Sequence, residues 1–216
     1  MARQFNLERI ERSLQQFRKD FAAINDSLSM RREVFQENMM HQILEAYSFL
    51  NDLLRKDMDL FTPAGLHSLL EMNHIVLCGS SKETRMQYYQ HLNETRKSFT
   101  AKITPILEWV MKNRDQTSPY ILATGFYSRQ LSQPQLFIEG NHRTGNILLN
   151  YLLISKGAAP YIISTRDARN YLDISGDIKF TYRESSFEST LKMPGHRKRF
   201  IKFLEEHTDK QYLTEY

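Results

Sequence analysis

The stretch Gln135-Leu136-Phe137-Ile138-Glu139-Gly140-Asn141-His142-Arg143-Thr144-Gly145-Asn146 decides how the chain is interpreted. It joins an acidic residue, a Gly-Asn pair and an arginine, and residues 147–154, Ile-Leu-Leu-Asn-Tyr-Leu-Leu-Ile, follow at once. These eight residues are apolar at nearly every position, which is typical of a helix buried on all sides. The sequence therefore predicts a polar loop that leads into a buried central helix.

The start of such a helix favours anions, because its first backbone N–H groups lack partners and carry a partial positive charge. Gly140 lets the backbone approach a ligand closely. Asn141 offers an amide donor, and Arg143 offers a planar donor fork that suits phosphate. Glu139 is a hard oxygen ligand for a magnesium ion that bridges phosphates. The same residues also fit a capped core helix with a solvated Arg143 and Glu139.

In this stretch the sequence resembles the Fic family, whose signature is HxFx(D/E)GN(G/K)RxxR. The residues that match in register are Phe137, Glu139, Gly140, Asn141 and Arg143. The resemblance covers roughly residues 27–176 and is more specific than a lone glycine pattern. Fic domains are all-helical, and most transfer AMP from ATP to a Ser, Thr or Tyr hydroxyl of a target protein. The resemblance implies an all-α fold, ATP as substrate and Mg²⁺ held by Glu139. It places the nucleotide phosphates at Gly140, Asn141, Arg143, Gly145 and Asn146.

Three positions depart from the signature. Gln135 stands where the family has its general base, a histidine. A neutral amide cannot accept the hydroxyl proton, and loss of a positioned base typically costs about 10²–10⁴ in rate. His142 replaces a small residue, where it narrows the phosphate pocket, contacts a nucleotide, supplies a base from another direction or is an ordinary histidine at a helix start. Asn146 replaces the second arginine of the signature.

Two functions follow from this pattern. The first is a protein adenylyltransferase that acts on a hydroxyl of an unknown target protein. The alternative is a catalytically inactive Fic-fold protein that binds a nucleotide or a protein partner, and Gln135 favours this alternative. A third class, nucleic-acid binding, rests on His196-Arg197-Lys198-Arg199 in a chain of net charge +4. Because Glu205-Glu206 follows this cluster, we expect a solvated helix face instead.

The N-terminal residues predict an amphipathic helix. Within residues 5–24 the apolar positions are spaced by three and four: Leu7, Ile10, Leu14, Phe17, Phe21 and Ile24. This seam fits either packing on the main domain or a contact with a partner, including a homodimer. We therefore divide the chain into an N-terminal helix (1–26), a Fic-like core (27–176) and a C-terminal helical extension with a tail (177–216).

Two further segments have a counterpart in the family. Ser29 and Glu33 match the spacing of an autoinhibitory helix that resembles (S/T)xxxE(G/N), although a simple helix start with Ser29 as its cap explains them as well. Residues 84–102 lie where Fic proteins carry a β-hairpin flap that binds the target segment by strand addition. Their alternating pattern is weak, and a helix fits them equally well.

Composition bounds the class of protein. With 216 residues, 41% hydrophobic and 25% charged, the chain is long enough for one substantial domain. The most apolar window, residues 147–163, contains Asn150, Lys156, Gly157 and Pro160, which argues against a membrane span. Cys78 is the single cysteine, and the chain starts without a signal-peptide pattern, so we expect a reducing cytoplasm.

Overall fold

The computed structural model describes residues 3–182 and 187–214 and is all-α, as predicted. Within these residues the α-helices are α1 (Leu7–Asp26), α2 (Glu37–Arg55), α3 (Leu66–Cys78), α4 (Lys82–Gln87), α5 (Tyr89–Asn113), α6 (Pro119–Leu131), α7 (Asn141–Ser155), α8 (Ala168–Phe180) and α9 (Phe187–His207). Short 3₁₀ turns cover Pro63–Gly65 and Lys210–Tyr212. The strands β1 (Gln4–Phe5) and β2 (Leu213–Thr214) pair antiparallel, so the two ends of the described chain are joined. Within the described ranges, no helix is both long enough and apolar enough to cross a membrane.

Helix α7 is the buried central helix that its composition predicts. Every residue from Ile147 to Ile154 is buried, and the helix packs against α6, α3 and α2. Asn150 is tolerated there because its side chain is fully hydrogen-bonded. Its Nδ2 donates to the Tyr47 hydroxyl at 2.7 Å and to the Tyr161 carbonyl at 2.8 Å, and its Oδ1 accepts from the Tyr161 N–H at 2.8 Å. The helix ends where Gly157 adopts a left-handed conformation with φ +82°.

Helix α1 places its apolar seam inside the molecule. Ile10 and Leu14 belong to the main hydrophobic core, while Phe17, Phe21 and Ile24 form a second cluster with Ala168 of α8. Of the two uses that the sequence left open for this seam, packing on the rest of the chain is the one that the structure displays.

The segment between α1 and α2, residues 27–36, is not the helix start that the sequence suggested. Helix α2 begins only at Glu37. Ser29 does not cap it, because its hydroxyl and its N–H both bond to Asp173 Oδ1 of α8, at 2.9 Å and 3.2 Å. Asn25 also fixes this segment by accepting from the Arg32 N–H at 2.6 Å and donating to its carbonyl at 3.1 Å. These contacts satisfy backbone groups that a helix would otherwise use.

The β-hairpin flap expected as one option at residues 84–102 is wrong, because α4 and α5 occupy this region. The buried residues of α5 explain the helix, since they recur every three or four positions: Thr95, Phe99, Ile103, Ile106, Leu107 and Val110. This period buries one continuous face of a helix, whereas a hairpin needs alternation.

Candidate ligand pocket at the start of the central helix

The turn into α7 depends on Gly140. This residue has φ +75°, a left-handed backbone conformation that residues other than glycine rarely adopt. A Cβ atom at this position would lie 3.0 Å from Asn73 Nδ2. The helix start has no side-chain cap, which leaves its first-turn N–H groups for an external acceptor.

Asn141 closes the loop on itself. Its side chain is buried, its Oδ1 accepts from the Phe137 N–H at 2.9 Å, and its Nδ2 donates to the Phe137 carbonyl at 2.8 Å. The side chain that we expected to face a phosphate therefore has both polar ends occupied by the loop. Any contact that Asn141 makes with a ligand comes from its backbone.

Asn73 of α3 is a positioning residue that the sequence analysis missed. It is fully buried, and its Nδ2 donates to the Glu139 carbonyl and to Thr144 Oγ1, each at 3.0 Å. It thus ties the loop before Gly140 to the first turn of α7. A signal was present in the sequence, because an asparagine inside the apolar run around Met72 and Ile75 implies a buried hydrogen-bonded amide.

A cavity of about 300 Å³ opens in front of this loop, at the lower end of the usual range for small-molecule sites. The motif residues that line it are Gln135, Ile138, Glu139, Gly140, Asn141, His142, Arg143 and Asn146. An apolar wall faces them, formed mainly by α1 and the segment before α2: Leu14, Phe17, Phe21 and Phe35. Gly145 does not line the cavity; a Cβ atom there would overlap the buried Gln130 side chain, so this glycine permits close packing of α6 and α7.

Arg143 and Glu139 lie together at the cavity. The Arg143 Nη1 donates to the Val76 carbonyl at 3.0 Å, while its Nη2 lies 3.9 Å from Glu139 Oε1. Burial lowers the pKa of Arg143, and Glu139 and Glu33 oppose that shift. The Glu139 side chain is 54% exposed, and its Oε2 is 3.7 Å from His91 Nε2. A guanidinium anchored at one end leaves donors for an anion at the other.

The sequence resemblance places Gln135 where a general base is expected. Its Nε2 donates to the Leu131 carbonyl at 3.1 Å, and Lys102 Nζ donates to its backbone carbonyl at 2.8 Å. The residue borders the cavity, but a neutral amide offers no basic site there.

His142 borders the cavity with a buried ring edge. Its Nδ1 lies 3.4 Å from the Tyr127 hydroxyl, and its Nε2 is buried without a hydrogen-bond partner. Burial lowers the pKa of His142 to about 3, and the positive charges of Arg32, Lys179 and Arg143 add to that shift. The imidazole is therefore neutral at physiological pH and a weak base.

Asn146, which the sequence resemblance aligns with the second signature arginine, is held inside the helix bundle. Its Oδ1 lies 3.4 Å from both the Tyr47 hydroxyl and Asn150 Nδ2. Its neutral amide contributes no charge to the cavity, so the cationic contacts come from elsewhere. Arg32 and Lys179 supply them, and both were absent from our sequence-based site.

The two residues proposed for an inhibitory helix separate in the structure. Glu33 borders the cavity and interacts with the charge of Arg143. Ser29 instead bonds to Asp173 and is not among the residues around the cavity.

The acidic groups at the cavity are few. Within residues 3–182 and 187–214, no three His, Cys, Asp or Glu side chains converge as a metal site would require. Among the described side chains, Glu139 and Glu33 are the carboxylates that border the cavity. A single carboxylate is compatible with magnesium when phosphate oxygens complete the coordination.

Most basic side chains in and next to the α9 cluster form hydrogen bonds or ion pairs with other residues of the chain. Arg197 donates to Ser128 Oγ at 2.8 Å, Arg199 pairs with Asp177, and Lys202 Nζ lies 3.7 Å from Glu206 Oε1. Internal pairing of this kind reduces the charge that the cluster could present to nucleic acid.

Comparison of the chain with protein-family models, with curated proteins and with solved structures returned no match. The fold and the cavity are thus the basis for classifying this protein. It is an all-α protein with a positively charged pocket at the start of its buried central helix.

Proposed function

We propose that the protein is a nucleotide-binding module with a Fic-like helical fold, in which the phosphates of ATP lie at the start of α7. One observation carries the proposal: the Gly140 turn, the uncapped helix start and Arg143 meet at one cavity of about 300 Å³. A helix N-terminus and a partly buried guanidinium both stabilise phosphate oxygens.

In this proposal the backbone N–H groups of the first turn and the Arg143 guanidinium bind the phosphates. Glu139 would hold a Mg²⁺ ion, because its carboxylate is half exposed at the cavity, and the ion would neutralise phosphate charge. The adenine ring of the nucleotide lies against the apolar wall formed by Phe17, Phe21 and Phe35. The proposed location is the cytoplasm, where ATP is abundant and a single buried thiol, Cys78, stays reduced.

The proposal treats the module as lacking an efficient base for AMP transfer. Gln135 has no basic site, and His142 is a weak base because burial and three cations lower its pKa to about 3. A second candidate, AMP transfer to a protein hydroxyl, is favoured by the partnerless Nε2 of His142 beside the cavity. Transfers of this type rely more on positioning and charge than on a base.

Binding is tested by isothermal titration of the full chain with ATP and Mg²⁺. Arg143→Ala should weaken binding by about 10–100-fold, since a hydrogen bond to a charged group contributes about 1.5–3 kcal/mol. Arg96→Ala is the matched control, because Arg96 is exposed and lies outside the cavity. Equal affinities of Arg143→Ala and the control for ATP would mean that the motif loop does not bind the nucleotide.

Transfer is tested with α-phosphate-labelled ATP, using the full chain, Gln135→His and a cell lysate as a source of targets. Label that appears only with Gln135→His supports an intact nucleotide site that lacks its base. Label from the unaltered chain favours the second candidate, and His142→Gln should then abolish it.

A further inference from the structure

Three cations from three distant segments reach the same cavity. Arg32 comes from the segment before α2, Arg143 from the first turn of α7 and Lys179 from the last turn of α8. The charges of all three act on His142. Of these, only Arg143 belongs to the motif, so the other two mark a part of the pocket that the motif does not describe.

Arg32 is held against α8 by a specific arrangement. Its Nη2 donates to the Leu172 carbonyl at 2.7 Å. Leu172, Gly176 and Lys179 are spaced by four and three, so they share one face of α8. A side chain at Gly176 would overlap the Arg32 guanidinium, which means that this glycine provides the space in which the guanidinium lies.

Arg32 and Lys179 bring positive charge to this end of the cavity, and the described side chains place no carboxylate beside either one. Among the side chains of residues 3–182 and 190–214, no carboxylate lies within ion-pair distance of Arg32 or Lys179. The two carboxylates at the cavity, Glu33 and Glu139, both act on Arg143. The Arg32 Nε is buried without an acceptor. Burial and the charge of Arg32 also lower the pKa of Lys179. Partly buried cations without a carboxylate beside them are costly, and an anion between them offsets that cost.

We propose that Arg32 and Lys179, together with Arg143, form an anion site for a phosphate group whose ester carries an aromatic or apolar moiety. The phosphate lies between the three cations, and the moiety lies on the apolar wall of α1 and Phe35. A nucleotide is one source of this chemistry, and only that choice of ligand rests on the proposed function. We therefore expect the affinity for such a phosphate ester to depend on residues well outside the motif.

The decisive variant is Gly176→Ala. Replacing a glycine in a helix interior should stabilise by about 0.5–1 kcal/mol. Displacement of the Arg32 guanidinium loses its hydrogen bond to Leu172, which costs about as much, so we expect little net change in stability. Gly195→Ala in α9 is the matched control, because nothing lies within 4 Å of a Cβ atom there. Lys179→Gln removes the second cation, with the exposed Lys198→Gln as its control.

The measurement is isothermal titration of the full-length variants with ADP, inorganic pyrophosphate, phenyl phosphate and adenosine, with thermal unfolding as a check on folding. We expect ADP affinity to fall about tenfold in Gly176→Ala and again in Lys179→Gln, and adenosine binding to be insensitive to both changes. Pyrophosphate and phenyl phosphate should show the same dependence on the two variants as ADP.

The outcomes separate this inference from the proposed function. If ADP binds with equal affinity to Gly176→Ala, Lys179→Gln and their controls, the nucleotide site stands and the three-cation site is overturned. If ADP does not bind but pyrophosphate or phenyl phosphate binds in a Lys179-dependent manner, the anion site stands and the nucleotide function fails. Absence of binding by all four probes overturns both.

Discussion

Buried asparagines organise the loops before and after α7 at the scale of single residues. Asn73, Asn141 and Asn150 each bond to backbone groups that no helix or strand satisfies. The polar residues that made the stretch around Gly140 conspicuous in the sequence therefore divide into two groups. Asn141 and Gly145 build the loop and its packing, whereas Glu139 and Arg143 keep polar atoms at the cavity.

Asn141→Ala should destabilise the protein markedly. The change leaves the Phe137 N–H and carbonyl without partners in a buried environment, at a cost of about 1–3 kcal/mol for each group. Urea unfolding would measure the loss, and Asn93→Ala, an exposed substitution on α5, is the control with an expected change within about 0.5 kcal/mol. If the two variants unfold at the same urea concentration, the loop does not depend on this side chain.

At the scale of elements, the sequence was sufficient to predict the helices whose apolar residues recur with a local pattern. Helices α1 and α7 follow from apolar spacing and from a nearly continuous apolar run. Residues 27–36 could not be predicted in this way, because their conformation is set by Asn25 and by Asp173, which is 144 positions away from Ser29. The cationic half of the pocket has the same origin, since Arg32 meets Lys179 only through the packing of this segment on α8.

Helix α1 is expected to be part of the cooperative fold. Ile10→Ala should cost about 2–5 kcal/mol, because Ile10 is fully buried in the core that also contains residues of α2 and α7. Arg9→Ala, at the exposed neighbouring position, should change stability by less than about 0.5 kcal/mol. Comparison of the two by chemical unfolding, with sedimentation to follow the oligomeric state, tests the role of the seam. A helix used for a partner contact would leave the unfolding of Ile10→Ala monomers unchanged.

At the scale of the whole molecule, two histidines link stability to pH. Burial lowers the pKa of His142 to about 3 and that of His74 to about 4, whereas an unfolded histidine titrates near 6.5. Both residues are neutral in the folded protein, so the unfolded chain binds more protons between these values. The contribution of the two neutral histidines to stability is therefore fully present above about pH 6.5 and decreases as the pH falls. The part from His74 is lost by about pH 4, and the part from His142 by about pH 3.

The free energy of unfolding between pH 6 and pH 5 should thus fall by as much as about 1.4 kcal/mol for each of these histidines. His142→Gln should remove its share of this slope, whatever its effect on stability at pH 7, because glutamine does not titrate. The control is His41→Gln, the same substitution at a histidine whose side chain is 61% exposed. An anion bound between Arg32, Lys179 and Arg143 would reduce the positive potential at His142 and raise its pKa. Saturating pyrophosphate should then flatten the slope of the unaltered protein and leave that of His142→Gln unchanged. An identical slope for His142→Gln and the unaltered protein would mean that His142 is protonated as readily in the folded chain as in the unfolded one.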